Sequence, residues 1–255
     1  MKRTLNWKPF LHGACAAVLC LSGSAGYAAD AAEPPPGWET TASVNATLTR
    51  GNSETFLGTV SLDTKRLWPK DEIALGISAG YGEAKVDGKN DKNTEFVKGF
   101  GQYNRLFTDR FYGGLRLDGE YDGIAGVDYR VRISPLLGYY VIKSPRTSLA
   151  LEAGPSVVFE KLVGKSSDEY FGARFGERFE HKLTDTTKIW QSFEYIPDVG
   201  DWADKYLLNA EVGIASDITK KMSLRLVLQD NYNSMPSAGR KHNDLRLLAG
   251  IGYKF

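Results

Sequence analysis

The sequence has little of what most directly announces a chemistry. Its two cysteines, Cys15 and Cys20, both fall in the first 20 of 255 residues, so the rest of the chain has neither a disulfide framework nor a thiolate-held metal. No apolar run approaches the roughly 20 residues that a membrane helix needs, and the mean hydropathy is −0.32. Charge of one sign is missing too. Lys and Arg number 32 against 31 Asp and Glu, a formal net charge of +1, which argues against a nucleic-acid partner. The 27 glycines follow no collagen-like period, and 12% aromatic content is too high for a disordered chain. What remains is a folded, β-rich chain, either soluble or a barrel whose hydrophobicity is hidden in alternation.

The start of the chain reads as a targeting segment. Lys2, Arg3 and Lys8 precede an apolar run from Ala14 to Leu21, and the small residues Gly26 and Ala28 flank Tyr27. This layout predicts a secretory signal peptide over 1–28, cleaved after Ala28. Its loss would remove both cysteines and three basic residues, moving the net charge from +1 to −2. Residues 29–37 follow as a short lead stiffened by Pro34, Pro35 and Pro36. Residues 38–255 form the expected domain.

From Trp38 onward polarity alternates with period two, the pattern of strands with two unlike faces. Tyr129, Val131, Ile133, Leu137, Tyr139 and Val141 oppose Arg130, Arg132, Ser134 and Gly138; Leu245, Leu247, Ala249, Ile251, Tyr253 and Phe255 oppose Arg246, Leu248, Gly250, Gly252 and Lys254. The segments run about 10 to 14 residues, longer than soluble strands and suited to a tilted membrane crossing. Short breaks at 67–71, 108–110, 143–147, 184–187 and 217–221 take turns with breaks at 51–54, 87–93, 123–128, 163–169, 197–204 and 234–241. Eleven connections predict twelve strands, with ten or fourteen also compatible because 94–107 and 188–197 alternate less cleanly. An even count puts both chain termini on the same side, as bacterial outer-membrane barrels require. Aromatic residues near the breaks, among them Trp68, Phe107, Phe111 and Trp190 on one side and Tyr81, Phe96, Tyr121 and Phe171 on the other, read as two interface girdles. A soluble β-sandwich explains the face polarity alone, but not strand length, loop parity and signal together. The fold class is therefore an all-β, transmembrane, antiparallel up-and-down barrel.

Two segments carry a family resemblance. The end, Gly-Ile-Gly-Tyr-Lys-Phe at 250–255, resembles the terminal signal of outer-membrane barrels, with Phe255 last and Tyr253 two residues earlier. The stretch Gly51, Asn52, Ser53, Glu54, Thr55 resembles the Gly-Asn-Ser/Thr-Glu-Thr motif of the YdiY-like family, often labelled "putative salt-induced outer membrane protein". The resemblance implies a Gram-negative outer-membrane location, lipid around the barrel, and recognition of the last strand by the barrel assembly machinery. It brings no catalytic residues. Gly51-Asn52 is also a turn signal in its own right.

The expected lumen face carries both signs of charge. Arg116, Glu120, Arg130, Arg132, Glu152 and Arg174 are the candidate lining, with Asp118, Glu160, Arg178, Glu180, Glu211, Arg225, Arg246 and Lys254 on the same face. Two readings follow: an ion-pair lattice that fills the interior, or a narrow water-filled conduit for small polar or ionic solutes. Gly76, Gly80, Gly82, Gly138 and Gly213 are expected to leave room for water, and no outer break looks long enough to fold inward. A rim hydrolase would need His242 beside Asp244, with Asp201 and Asp204 nearby; His181 lies at the wrong end. The loop Asp87–Asn93 has oxygen ligands but alternating lysines, and reads as a hairpin tip rather than a calcium site. No catalytic residue, cofactor or metal is expected.

Overall fold

The computed structural model describes residues 37–49, 54–86 and 89–255, without the side chains of 47–49, 54–55, 86 and 89. The signal segment, the Pro-rich stretch and Gly51, Asn52 and Ser53 lie outside the described residues; Glu54 and Thr55 open the second strand. Twelve strands follow one another: β1 (Glu39–Thr49), β2 (Glu54–Leu67), β3 (Asp71–Val86), β4 (Lys89–Leu106), β5 (Phe111–Asp122), β6 (Val127–Lys143), β7 (Thr147–Leu162), β8 (Ser167–Lys182), β9 (Thr187–Pro197), β10 (Tyr206–Asp217), β11 (Met222–Asn233) and β12 (Asn243–Lys254). Each pairs antiparallel with the next, and β1 closes on β12 through Thr41↔Lys254 to Asn45↔Gly250. The closed ring leaves no edge strand. At a strand spacing of about 4.8 Å and the usual tilt, twelve strands make a ring about 24 Å across between backbones.

Alternation decides which way each side chain points. In β6 the odd positions from Tyr129 to Val141 are exposed outward while Arg130, Arg132, Ser134, Leu136, Gly138 and Tyr140 are buried in the lumen. The outward face is apolar almost throughout: Val44, Ile77, Leu137, Leu224 and Leu245 are each 55–65% exposed. A continuous apolar belt of this kind far exceeds what a soluble monomer leaves in water, and lipid is the medium that removes its cost.

Strands β3, β4 and β6 to β8 run to 16–18 residues, beyond the 10 to 14 read from the sequence. The difference is clearest at 87–93. Lys89–Asn93 is not a loop but the start of β4, which pairs back on Glu83–Val86 through a bulge at Gly82/Glu83. Hydrophilic residues at a strand end projecting past the apolar belt carry no apolar alternation, so pairing there leaves no periodic signal. Two aromatics assigned to the girdles, Phe96 and Trp190, point inward instead.

Candidate functional site

The lumen holds the chain's densest chemistry. Arg178, from β8, donates to Glu152 at 2.7 Å, and Glu152 pairs with Arg174 at 2.9 Å. Arg174 reaches Glu194 at 2.6 Å, Glu194 meets Arg132 at 3.3 Å, and Arg132 faces Asp118 at 3.4 Å, which Arg116 grips at 2.8 Å. Beside this chain, Arg130 donates to Glu120 at 2.6 Å and Glu160 at 2.8 Å. Five guanidinium groups are thus matched by five carboxylates. The links cross the interior rather than run only between neighbouring strands: Arg116 on β5 and Arg132 on β6 both approach Glu194 on β9, and Gln102 on β4 donates to Glu152 on β7 at 2.8 Å. Glu152 has its acceptor sites filled by Gln102, Tyr112, Arg174 and Arg178. Buried charges survive only when paired and hydrogen-bonded in this way.

Aromatic rings fill the space beside the network. Phe100 lies opposite Gly76, Phe96 opposite Gly80, Tyr112 opposite Gly138 and Trp190 opposite Gly213. In each pair the ring occupies the place where a Cβ would stand. These glycines therefore seat rings and leave no water space, which corrects the expectation from the sequence; Gly82 is closed in by Asn93 and Thr94. Tyr112 and Tyr140 pack with Leu106, Leu136 and Ala150 into an apolar cluster toward the inner end.

The filling is one-sided. On the β4–β9 arc Gln102, Arg130, Arg132, Ser134, Glu152, Ser156, Glu160, Arg174 and Glu194 are buried. On the arc from β10 through β12 and β1 to β3, Asn45, Ser61, Asp63, Glu211, Arg225 and Gln229 face the same lumen yet stay half-exposed. Solvent thus reaches more of this second wall, although Ser43, Thr59 and Ser223 on it are buried and Arg116, Asp118 and Glu120 on the first are half-exposed.

The outer mouth is crossed by a strap. The loop 234–242 joins β11 to β12, diametrically opposite the β5–β6 turn in the ring. Ser237 is nonetheless buried, and its Oγ donates to the Gly126 carbonyl on that turn at 2.8 Å. Gly126 has φ +71°, and a Cβ there would run into Ser237. Arg246 of β12 crosses below to Asp122 of β5 at 2.8 Å. So an outer break does fold inward, contrary to the sequence reading: the nine residues 234–242 reach the turn across the mouth. Between strap and ion network lies a small vestibule of about 40 Å³, partly open to solvent and lined in part by Lys98, Arg130, Arg132, Asn231, Lys241 and Asp244.

All six residues chosen from the sequence as lumen lining, Arg116, Glu120, Arg130, Arg132, Glu152 and Arg174, come together in this network. The sequence reading missed Glu194, its hub, as well as Gln102, Asn104 and Glu72. The signal for Glu194 was Phe193 and Tyr195 on either side of it, outward aromatics bracketing a charge. His242 and Asp244 do not form a dyad: His242 Nδ1 lies 2.9 Å from the Asn233 carbonyl and its ring stacks on Tyr232. His181 contacts Thr147 Oγ1 at 2.8 Å near the inner end. Among the described residues no group of His, Cys, Asp and Glu is arranged to hold a metal ion. Phe255 is the most exposed large apolar residue described, and Tyr253 stands edge-on to it at the inner rim.

A family model described as "Protein of unknown function, DUF481" matches residues 42–255. The chain belongs to the DUF481 family. No curated protein sequence matches it. Among solved structures, this DUF481 barrel is similar to NanC porin, with 8% identity over 85% of this chain and 100% of that one and a TM-score of 0.52. It is also similar to an outer membrane channel from Pseudomonas putida F1 (12% identity, 91% and 100% covered, TM-score 0.48). The translocator domain of autotransporter NalP from Neisseria meningitidis matches at 15% identity over 86% and 87%, with a TM-score of 0.43. At such identities the likeness speaks to fold alone, and the NanC porin match carries it: the DUF481 chain has the closed antiparallel barrel of outer-membrane proteins.

Proposed function

We propose that this DUF481 protein is a Gram-negative outer-membrane barrel, exported by the signal segment 1–28, that provides a narrow passive path for small polar or ionic solutes. Its physiological setting in this reading is the envelope under salt or osmotic change, as the family resemblance suggests. The supporting observation is the one-sided lumen. The ion network builds one wall, while Asn45, Ser61, Asp63, Glu211, Arg225 and Gln229 along the other remain within reach of water. Paired charges on a rigid wall narrow the path and leave both signs at hand, which suits weak, non-exclusive passage. Lipid surrounds the apolar belt, and Tyr253 and Phe255 are the residues offered to the assembly machinery.

A second reading, a sealed structural barrel, draws on the crossing pairs from Arg116 and Arg132 to Glu194 and on the strap over the mouth. Planar-bilayer recording of the refolded protein separates the two. Steady small openings support the path, and a silent bilayer at verified insertion leaves the sealed barrel.

A further inference from the structure

The short turns at the inner end, where the chain enters β1 and leaves β12, share a composition that the lumen does not explain. Each of the five carries an exposed cation: Lys70 between β2 and β3, Arg110 between β4 and β5, Arg146 between β6 and β7, Lys182 where β8 ends, and Lys220 with Lys221 between β10 and β11. Two exposed carboxylates, Asp109 and Asp185, stand among them. Arg146 comes no nearer to Asp185 than 4.0 Å, with 73% and 99% of their side chains exposed. Among the described residues the other five cations have no ion pair. The carboxylates beside these turns are already taken, Asp71 by Arg105 at 2.7 Å and Asp217 by Lys254 at 2.6 Å. The outer connections lack this excess: their described residues set Lys165, Lys205, Arg240 and Lys241 against Asp198, Asp201 and Asp204.

The neighbours of these cations decide the kind of partner. Phe107 is 61% exposed, Ile218 56% and Leu183 48%, and each lies on the same turn as a cation or next to one. Lys221 Nζ lies 5.8 Å from the Tyr253 ring centroid. A soluble polyanion would leave those apolar side chains in water. Turns of three or four residues also keep their charges close to the apolar belt, at the depth where hydrocarbon gives way to phosphate.

We infer that the inner rim binds anionic phospholipid, the phosphodiester of the headgroup meeting a turn cation while its chains lie along the neighbouring Phe, Leu or Ile. The inference rests on the barrel lying in a bilayer and not on conduction, so a silent bilayer recording leaves it standing.

Quenching of tryptophan fluorescence by brominated lipid tests it on the refolded full chain in phosphatidylcholine vesicles. Trp38 and Trp68 stand at this rim, their rings 6.3 Å apart, and report the lipid beside it. Brominated phosphatidylglycerol should quench more than brominated phosphatidylcholine at equal mole fraction. The apparent preference should be about fivefold at low salt, the worth of one Lys or Arg at an anionic surface, and should fall as salt rises. Lys70→Gln, Arg110→Gln, Lys182→Gln, Lys220→Gln and Lys221→Gln combined should remove it, while Lys165→Gln with Arg240→Gln on the outer connections should not. Heat-modifiable gel migration shows whether the combined variant holds an intact barrel; where it does not, Lys70→Gln alone, beside Trp68, decides by a partial loss. Equal quenching by the two lipids, as a rim built for a soluble polyanion would give, overturns the inference. So does an undiminished preference in the intact inner-rim variant, or an equal loss in the outer one.

Discussion

Trp190 on β9 lies against Gly213, the residue directly opposite it on β10, and its ring takes the volume that a Cβ at 213 would need. The same ring donates from Nε1 to Glu211 at 2.6 Å and carries the Arg225 guanidinium 5.2 Å from its centroid. One glycine thus sets the position of an aromatic ring, a carboxylate and a cation on the more open wall of the lumen.

Gly213→Ala should therefore destabilise the barrel by about 1–3 kcal/mol, the usual cost of overpacking. Gly119→Ala, where nothing lies within 4 Å of the new methyl, should leave stability unchanged. Urea unfolding of the refolded barrel, followed by tryptophan fluorescence, compares them. Equal midpoints for both variants would show that the ring moves aside at no cost.

Removing the saturated carboxylate at the centre should cost more. Glu152→Ala leaves Arg174 short of a partner and Arg178 with none of its paired charge, and a buried pair broken from one side typically loses about 3–5 kcal/mol. Substituting Glu152→Leu together with Arg178→Met should recover part of that loss, because the second change removes the stranded charge while Arg174 keeps Glu194. The double variant falling below Glu152→Ala in a urea titration would refute this account of the network.

These two cases also mark what the sequence discloses. The β6 pattern, Arg130 and Arg132 between Tyr129, Val131 and Ile133, is legible because every outward residue there is apolar and the inward ones beside them are charged. Strand β9 is not, since Trp190 faces the lumen and Gln191 the lipid, which inverts the expected polarity and hides Glu194. The seating of Trp190 on Gly213 depends on cross-strand register, a property of two strands that neither segment carries alone. The strap escaped for a similar reason: Ser237 and Gly126 are 111 residues apart, and neither loop's composition names the other.

If solutes follow the half-exposed wall, charge there should set ion selectivity. Asp63→Asn and Glu211→Gln should each shift reversal potential in a salt gradient toward anions, while Glu160→Gln, behind Arg130 in the packed wall, should shift it less. A larger shift from Glu160→Gln than from Asp63→Asn would move the path to the other side of the lumen.

The strap should throttle whatever passes. Shortening the loop by residues 235–240 removes the Ser237 bond to Gly126 and uncovers the vestibule. Single-channel conductance should rise, with gel migration unchanged because the loop lies outside the strand ladder. Unaltered conductance would place the constriction at the Arg132–Glu194 level instead.

Among the described residues, the lipid face holds a polar pair well inside the apolar belt. Gln191 on β9 donates to Glu177 on β8 at 3.2 Å, with Phe175 and Phe193 on the outer side and Phe179 on the inner. Both point away from the lumen, since Gly176, Arg178 and Ser192 between them point in. A carboxyl facing hydrocarbon destabilises a barrel, less than Lys or Arg at the same depth would. Replacing both residues, Glu177→Leu with Gln191→Leu, should raise the temperature at which the refolded protein loses its compact gel migration. Glu177→Leu alone should gain less, because it strands the Gln191 amide among apolar neighbours. A drop in that temperature for the double variant would show that the pair contributes a contact worth more than its burial costs, and would direct attention to a partner on the β8–β9 face.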